Sequence, residues 1–199
     1  MRNWNMDRAT RSSRRLIARF ARAREGVAAI EFAMIVPIMV MLFVGAVEFS
    51  QAISADRRVT QVASSTADLV ARSRTTNKVE LDGILQIGSK LMPAPTYDTT
   101  KLKITLVSVE ADVNNAAVTK VGWSCNYNGG VNSYSSGQNY TLPTGVVEKG
   151  DSVIVAEVQY NYVAPLFNEF LGGSFMMSEK FYLKPRLSAK VGYEGAACS

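Results

Sequence analysis

Hydrophobic and polar positions change character three times along the chain. Residues 27–47, VAAIEFAMIVPIMVMLFVGAV, are apolar throughout except for Glu31. As a helix this run rises about 31 Å, the thickness of a bilayer's hydrocarbon core. From 48 to 73 the pattern turns amphipathic: Phe49, Ile53, Val59, Val62, Leu69 and Val70 recur at steps of roughly three and four, with no Gly or Pro between them. The spacing predicts a transmembrane helix continued by a stalk, about 70 Å in all. Pro37 removes one backbone hydrogen bond and is expected to kink it. Asp56, Arg57, Arg58 and Asp68 are expected on its solvated face.

Thr75-Thr76-Asn77 ends that pattern. Asn77 followed by Glu80 has the form of a helix N-cap with its reciprocal glutamate. Leu81, Ile84, Leu85, Gly88 and Leu91 then line one face of a short second helix, which Pro93 and Pro95 end. Beyond it the period falls to two. Leu102, Ile104 and Leu106 alternate, as do Val121, Trp123, Cys125 and Tyr127, then Ile154, Ala156, Val158, Tyr160 and Tyr162. A fourth strand is expected over Phe175 to Leu183, where Pro185 favours a sheet edge or strand end. The fold class read from this order is α+β: a long N-terminal helix, then a head of one short helix and a four-stranded antiparallel sheet.

Charge changes the picture at the N-terminus. The net charge is +5, but residues 1–25 hold eight arginines against Asp7 and Glu25, a local +6. The other 174 residues hold 14 basic and 15 acidic side chains, net −1. A nucleic-acid-binding domain would spread its basic residues over a folded face, so none is expected. An arginine-rich flank on one side of an apolar run instead orients a membrane helix, N-terminus in the cytoplasm and the rest exported. A conventional secretory signal has a shorter apolar region and a small-residue cleavage site. Here Ala46 to Ala55 offer only a loose version of that site, interrupted by Glu48 and Phe49.

Composition excludes most catalytic classes. The chain has no histidine, which removes Ser-His-Asp and Cys-His mechanisms and imidazole-based metal sites. Cys125 and Cys198 cannot build a zinc cage alone; in an oxidising compartment they can form one disulfide. Two free thiols, or pairing with another protein, are the alternatives. Glu110, Asp112, Asn114 and Asn115 gather oxygen ligands but lack the spacing of a calcium loop, and read as a polar turn. Residues 126–140, NYNGGVNSYSSGQNY, read as an exposed loop without the ending of a phosphate-binding loop. Its tyrosines, Tyr127, Tyr134 and Tyr140, are candidates for contact with a partner. No enzyme active site, cofactor site or metal site is expected.

Glu31 is the residue that needs an explanation. A carboxylate within the hydrocarbon costs on the order of 2.5–3.5 kcal/mol near the centre and is functional by default; the alternative is that it snorkels into the head groups. The run Arg24-Glu25-Gly26-Val27-Ala28-Ala29-Ile30-Glu31-Phe32 resembles the processing site of type IV-like prepilins. With the long arginine-rich leader, Gly26 to Ala33 is most similar to the TadE-like minor pseudopilins of the Tad (Flp) pilus system. Phe32 and the large exported region set the chain apart from the short major pilins, which usually carry Tyr after the glutamate. Residues 155–167, VAEVQYNYVAPLF, are similar to a Val-x-Val-x-Tyr-x-Tyr-x-x-Pro-Leu pattern near the end of such proteins, whereas 74–150 resemble nothing identified.

The resemblance implies a pilin-like head and a division into four parts. Residues 1–26 would be a leader cleaved by a prepilin peptidase between Gly26 and Val27, making Glu31 the fifth mature residue. Residues 27–47 would span the inner membrane, 48–73 would extend the helix into the periplasm, and 74–199 would form the periplasmic head. The implied partners are the peptidase, other pilins or pseudopilins and the inner-membrane assembly platform. A rival from another class is an uncleaved single-pass protein whose periplasmic head binds a ligand or envelope component.

Overall fold

The first element is a single helix, α1, Glu25–Ala71. The structure is a computed structural model, and it describes residues 25–92, 96–165, 173–195 and 198. The chain divides into two compact units, Met1–Val47 and Glu48–Ser199. In the first, α1 presents large apolar side chains on all sides: Phe32 is 67% exposed and Phe43 70%. Pro37 lies inside the helix. The arginine leader lies outside the described residues, as do Pro93 and Pro95.

In the second unit α1 is amphipathic. Ala55, Val59, Val62, Ala63, Thr66, Ala67, Val70 and Ala71 are buried, a stripe at three- and four-residue steps that faces the core. Phe49, Ile53 and Leu69, which carry the same period in the sequence, stand exposed. The buried stripe is built largely of Ala and Val because small residues let a helix approach its neighbours closely. Thr66 is tolerated there because its Oγ1 donates back to the Val62 carbonyl at 2.7 Å.

A three-residue strand β1, Thr75–Asn77, leads into helix α2, Lys78–Lys90. Asn77 caps α2, its Oδ1 accepting from the Glu80 N–H at 3.0 Å. Leu81, Leu85, Gly88 and Ser89 are buried on one face. Gly88 sits where a Cβ would lie 2.4 Å from the Thr66 methyl of α1, so only glycine allows the two helices this approach.

After a 3-10 turn at Thr99–Lys101 come β2, Leu102–Ala111; β3, Thr119–Tyr127; β4, Ser152–Val163; and β5, Ser174–Leu183. They form an antiparallel sheet in the order β3-β2-β4-β5. A last strand β6, Gly192–Glu194, pairs parallel with β1. The fold is α+β with a four-stranded antiparallel sheet, and β5 stands at one end of the sheet order, ending two residues before Pro185.

One face of the sheet carries Leu102, Ile104, Leu106, Ile154, Ala156, Val158 and Trp123 in a core shared with α1 and α2. The opposite face holds a second, smaller core of Val107, Val109, Val121, Val153, Val155 and Tyr140. Val121 departs from the alternation that groups it with Trp123 and Cys125. Ser108 pairs with Trp123 but Val109 with Val121, so Gly122 is an extra residue in β3 and the bulge turns Val121 to the other face. A Cβ on Gly122 would meet the end of the Glu110 side chain at 2.7 Å, and glycine is the usual residue at such a bulge.

Candidate functional site

Two regions concentrate functional chemistry. The first is the start of α1. Gly26 has open space around the position a Cβ would take. Val27 follows, 56% exposed. Glu31 is exposed one helical turn further on, the lone carboxylate among the described residues from 26 to 47. An 18-residue window within Gly26–Ala71 reaches a mean hydropathy of 2.5, so this helix is long and apolar enough to cross a membrane. The order along it is a small residue, a one-turn apolar step, a carboxylate, and then an unbroken apolar run past Pro37.

That order coincides with a family match. Residues 26–68 match the model of the TadE-like protein family. This segment is TadE-like. The family is one of structural components associated with Tad pili, and its match opens at Gly26 and covers the apolar run and most of the stalk. No curated protein matches the chain, and no solved structure matches it.

The second region lies in the head, on the sheet face away from α1. Glu157 on β4 is 1% exposed, yet its carboxylate is fully engaged. Asn132 Nδ2 donates to it at 2.7 Å, the Tyr140 hydroxyl at 2.8 Å and the Tyr134 hydroxyl at 3.0 Å. Lys180 Nζ, on neighbouring β5, pairs with it at 2.7 Å. Burial alone would push the Glu157 carboxyl up. The Lys180 ammonium and the three neutral donors outweigh it and hold the group below the usual carboxylate range. The same geometry raises the tyrosines, by burial first and then by the adjacent negative charge: Tyr134 is pushed up to about 12, and Tyr140 is also raised.

Residues 126–140 form a loop that is exposed over most of its length, but the cluster corrects the expectation that Tyr134 and Tyr140 face a partner. Tyr140 is 7% exposed, Tyr134 packs against it at 5.3 Å between ring centroids, and both hydroxyls are turned inward onto Glu157. The segment is the second cover of the sheet. Thr105 Oγ1 donates to Asn126 Oδ1 at 2.8 Å, Ser124 Oγ donates to the Tyr134 carbonyl at 2.9 Å, and Asn139 bridges to Lys120. The legible signal was Glu157 itself, which lies on the face opposite Ala156 and Val158 and follows Val153 and Val155 on its own face.

Cys125 and Cys198 are joined in a disulfide spanning 73 residues. The C-terminal arm it ties down also runs beside β3: Trp123 Nε1 donates to the Val191 carbonyl at 2.9 Å, and Tyr193 packs on the Trp123 ring at 5.9 Å. Asp112 and Asn115 shape the β2–β3 turn, accepting from the Asn114 and Ala117 N–H groups at 2.8 and 3.0 Å. Glu110 pairs with Lys190 at 2.6 Å. On α1, Arg58 is more than a solvated residue: its guanidinium lies 5.6 Å from the Tyr97 ring centre and donates to the Leu91 carbonyl at 3.0 Å.

Proposed function

We propose that this chain is a minor pseudopilin of a Tad-type pilus, made as a precursor and cut by a prepilin peptidase between Gly26 and Val27. The observation that carries the reading is the TadE-like match at residues 26–68, with Gly26 at its first position and Glu31 five residues on. The apolar part of α1 anchors the protein in the bacterial inner membrane, with the arginine leader held in the cytoplasm and the head exported to the periplasm. Cutting frees a positive amine at Val27. The Glu31 carboxylate of a neighbouring subunit neutralises it in low-dielectric surroundings, where either charge alone is costly and the pair is tolerated. Apolar helix packing and this charge pair together bring the subunit into register with other pilins or pseudopilins and with the assembly platform.

The head's part in this reading is recognition of neighbouring subunits. Its two cores and its disulfide give a rigid body for that task. Recovery of tagged protein from membranes that express a complete Tad system tests the assignment. Other pilin-like subunits should co-purify with it. Recovery of the chain alone, with an intact leader, would favour the uncleaved single-pass anchor instead.

A further inference from the structure

A cavity of about 140 Å³ opens in the head between the first turns of its α1 segment and the end of β4. Ser50, Ser54, Thr96, Tyr97, Tyr160 and Tyr162 give it its polar and aromatic wall. A water molecule occupies about 30 Å³ of liquid, so the space exceeds one bound solvent. Tyr162 is 6% exposed, and its hydroxyl has no hydrogen-bond partner among the described residues. A buried hydroxyl left this way is destabilising, and a bound group would relieve it.

The wall defines what fits. None of the described residues that line it is charged, and the Arg58 guanidinium beside Tyr97 is already bonded to the Leu91 carbonyl. The wall offers neutral oxygens and ring faces, which suit a small cation carrying N–H donors. Tyr160 already accepts from the Asp98 N–H at 3.3 Å. Burial raises the Tyr162 hydroxyl, and the neighbouring Glu48 raises it further. Ser50 follows Val47, the last residue of the apolar run, by three positions on one helix, about 5 Å by helical rise. That is the level of lipid head groups if residues 27–47 span the bilayer.

We propose that this cavity takes the primary ammonium of a phosphatidylethanolamine head group, with the Tyr162 hydroxyl as one of its acceptors. The inference rests on the membrane reading of α1 and goes beyond it by naming a lipid. A choline head group, though also cationic, has no N–H to donate and is the natural discriminator.

The test uses the full chain in nanodiscs containing equal amounts of phosphatidylethanolamine and phosphatidylcholine over a constant fraction of phosphatidylglycerol. Lipids retained after mild delipidation are counted by native mass spectrometry. The native protein should keep phosphatidylethanolamine over phosphatidylcholine by five-fold or more. Tyr162→Phe, which removes only the hydroxyl, should bring that ratio close to one without lowering the melting temperature. Ser50→Leu, on the exposed helix surface at the cavity mouth, should do the same by filling it. A native ratio near one, as expected of a cavity holding only water, would overturn the proposal, as would a preference that survives both variants. The readout needs no pilus machinery. A retained preference in a protein that stays uncut when co-expressed with the host's prepilin peptidase would refute the pseudopilin reading alone.

Discussion

The Tyr140 hydroxyl donates to the Glu157 carboxylate at 2.8 Å, joining the segment between β3 and β4 to the centre of the sheet. Glu157 lies on a central strand, flanked by β2 on one side and β5 on the other. Lys180 approaches from β5 and the tyrosines from above. One buried carboxylate thus ties three parts of the head together, and it is stable there because the Lys180 ammonium and three neutral donors satisfy its oxygens.

Glu157→Gln should destabilise the head by about 1–3 kcal/mol at neutral pH, and Tyr140→Phe by a similar amount, as for hydrogen bonds to a buried charge. The pH dependence has a definite sign. The folded-state carboxyl is held below its ordinary value near 4.5, so its contribution is complete above that pH. It is lost as pH falls through the lowered folded value. Urea unfolding across an acid series should therefore show the gap between native protein and Glu157→Gln narrowing below pH 4.5. A constant gap would mean that charge plays no part.

Gly88→Ala should cost about 1–3 kcal/mol, although alanine is the better helix former. The new methyl would fall 2.4 Å from the Thr66 side chain, forcing α2 away from α1. Gly83→Ala, five residues earlier on α2 with open space at its Cβ, is the control and should be neutral or stabilising. Equal effects of the two on thermal unfolding would remove the packing argument.

Much of this architecture was legible in the sequence because its signals are local. The Asn77 cap, the Leu81–Leu85–Gly88 face and the alternation of Ile154 to Tyr162 each follow from one element's own period. What was not legible depends on elements distant in sequence. Gly122 becomes a bulge only against Ser108 and Val109 of β2, and Val121 changes face as a result. Tyr134 and Tyr140 have a polar, glycine-rich context that reads as solvent-facing until Glu157, some twenty residues on, supplies an acceptor. Phe49 and Ile53 share the period of the stalk's buried stripe without joining it, since period alone does not choose between large side chains and Ala55.

Removing the Cys125–Cys198 bridge should loosen the C-terminal arm and lower stability. For a 73-residue separation the chain-entropy treatment gives roughly 4 kcal/mol. Cys198→Ser in the exported protein should lower the denaturant midpoint accordingly and make the arm accessible to protease. Identical midpoints for oxidised native protein and Cys198→Ser would show that the bridge contributes nothing.

Glu31→Ala should be inserted and at least partly processed, since the apolar run is only made more apolar. It should nevertheless fail to recover pilin-like partners from membranes, because the freed Val27 amine then has no carboxylate to meet. Normal partner recovery by processed Glu31→Ala would sink the pairing and leave Glu31 as a recognition mark for the peptidase.

The central claim is that Gly26 and Val27 are the ends left by a specific cut. Its most direct test is the mature N-terminus of the protein, sequenced after co-expression with the host's prepilin peptidase. The expected product is a chain beginning at Val27, with an uncut precursor for Gly26→Leu, since a peptidase acting at the membrane edge needs a small residue before the bond. A mature protein that still begins at Met1, or processed Gly26→Leu with Val27 at its end, would contradict it.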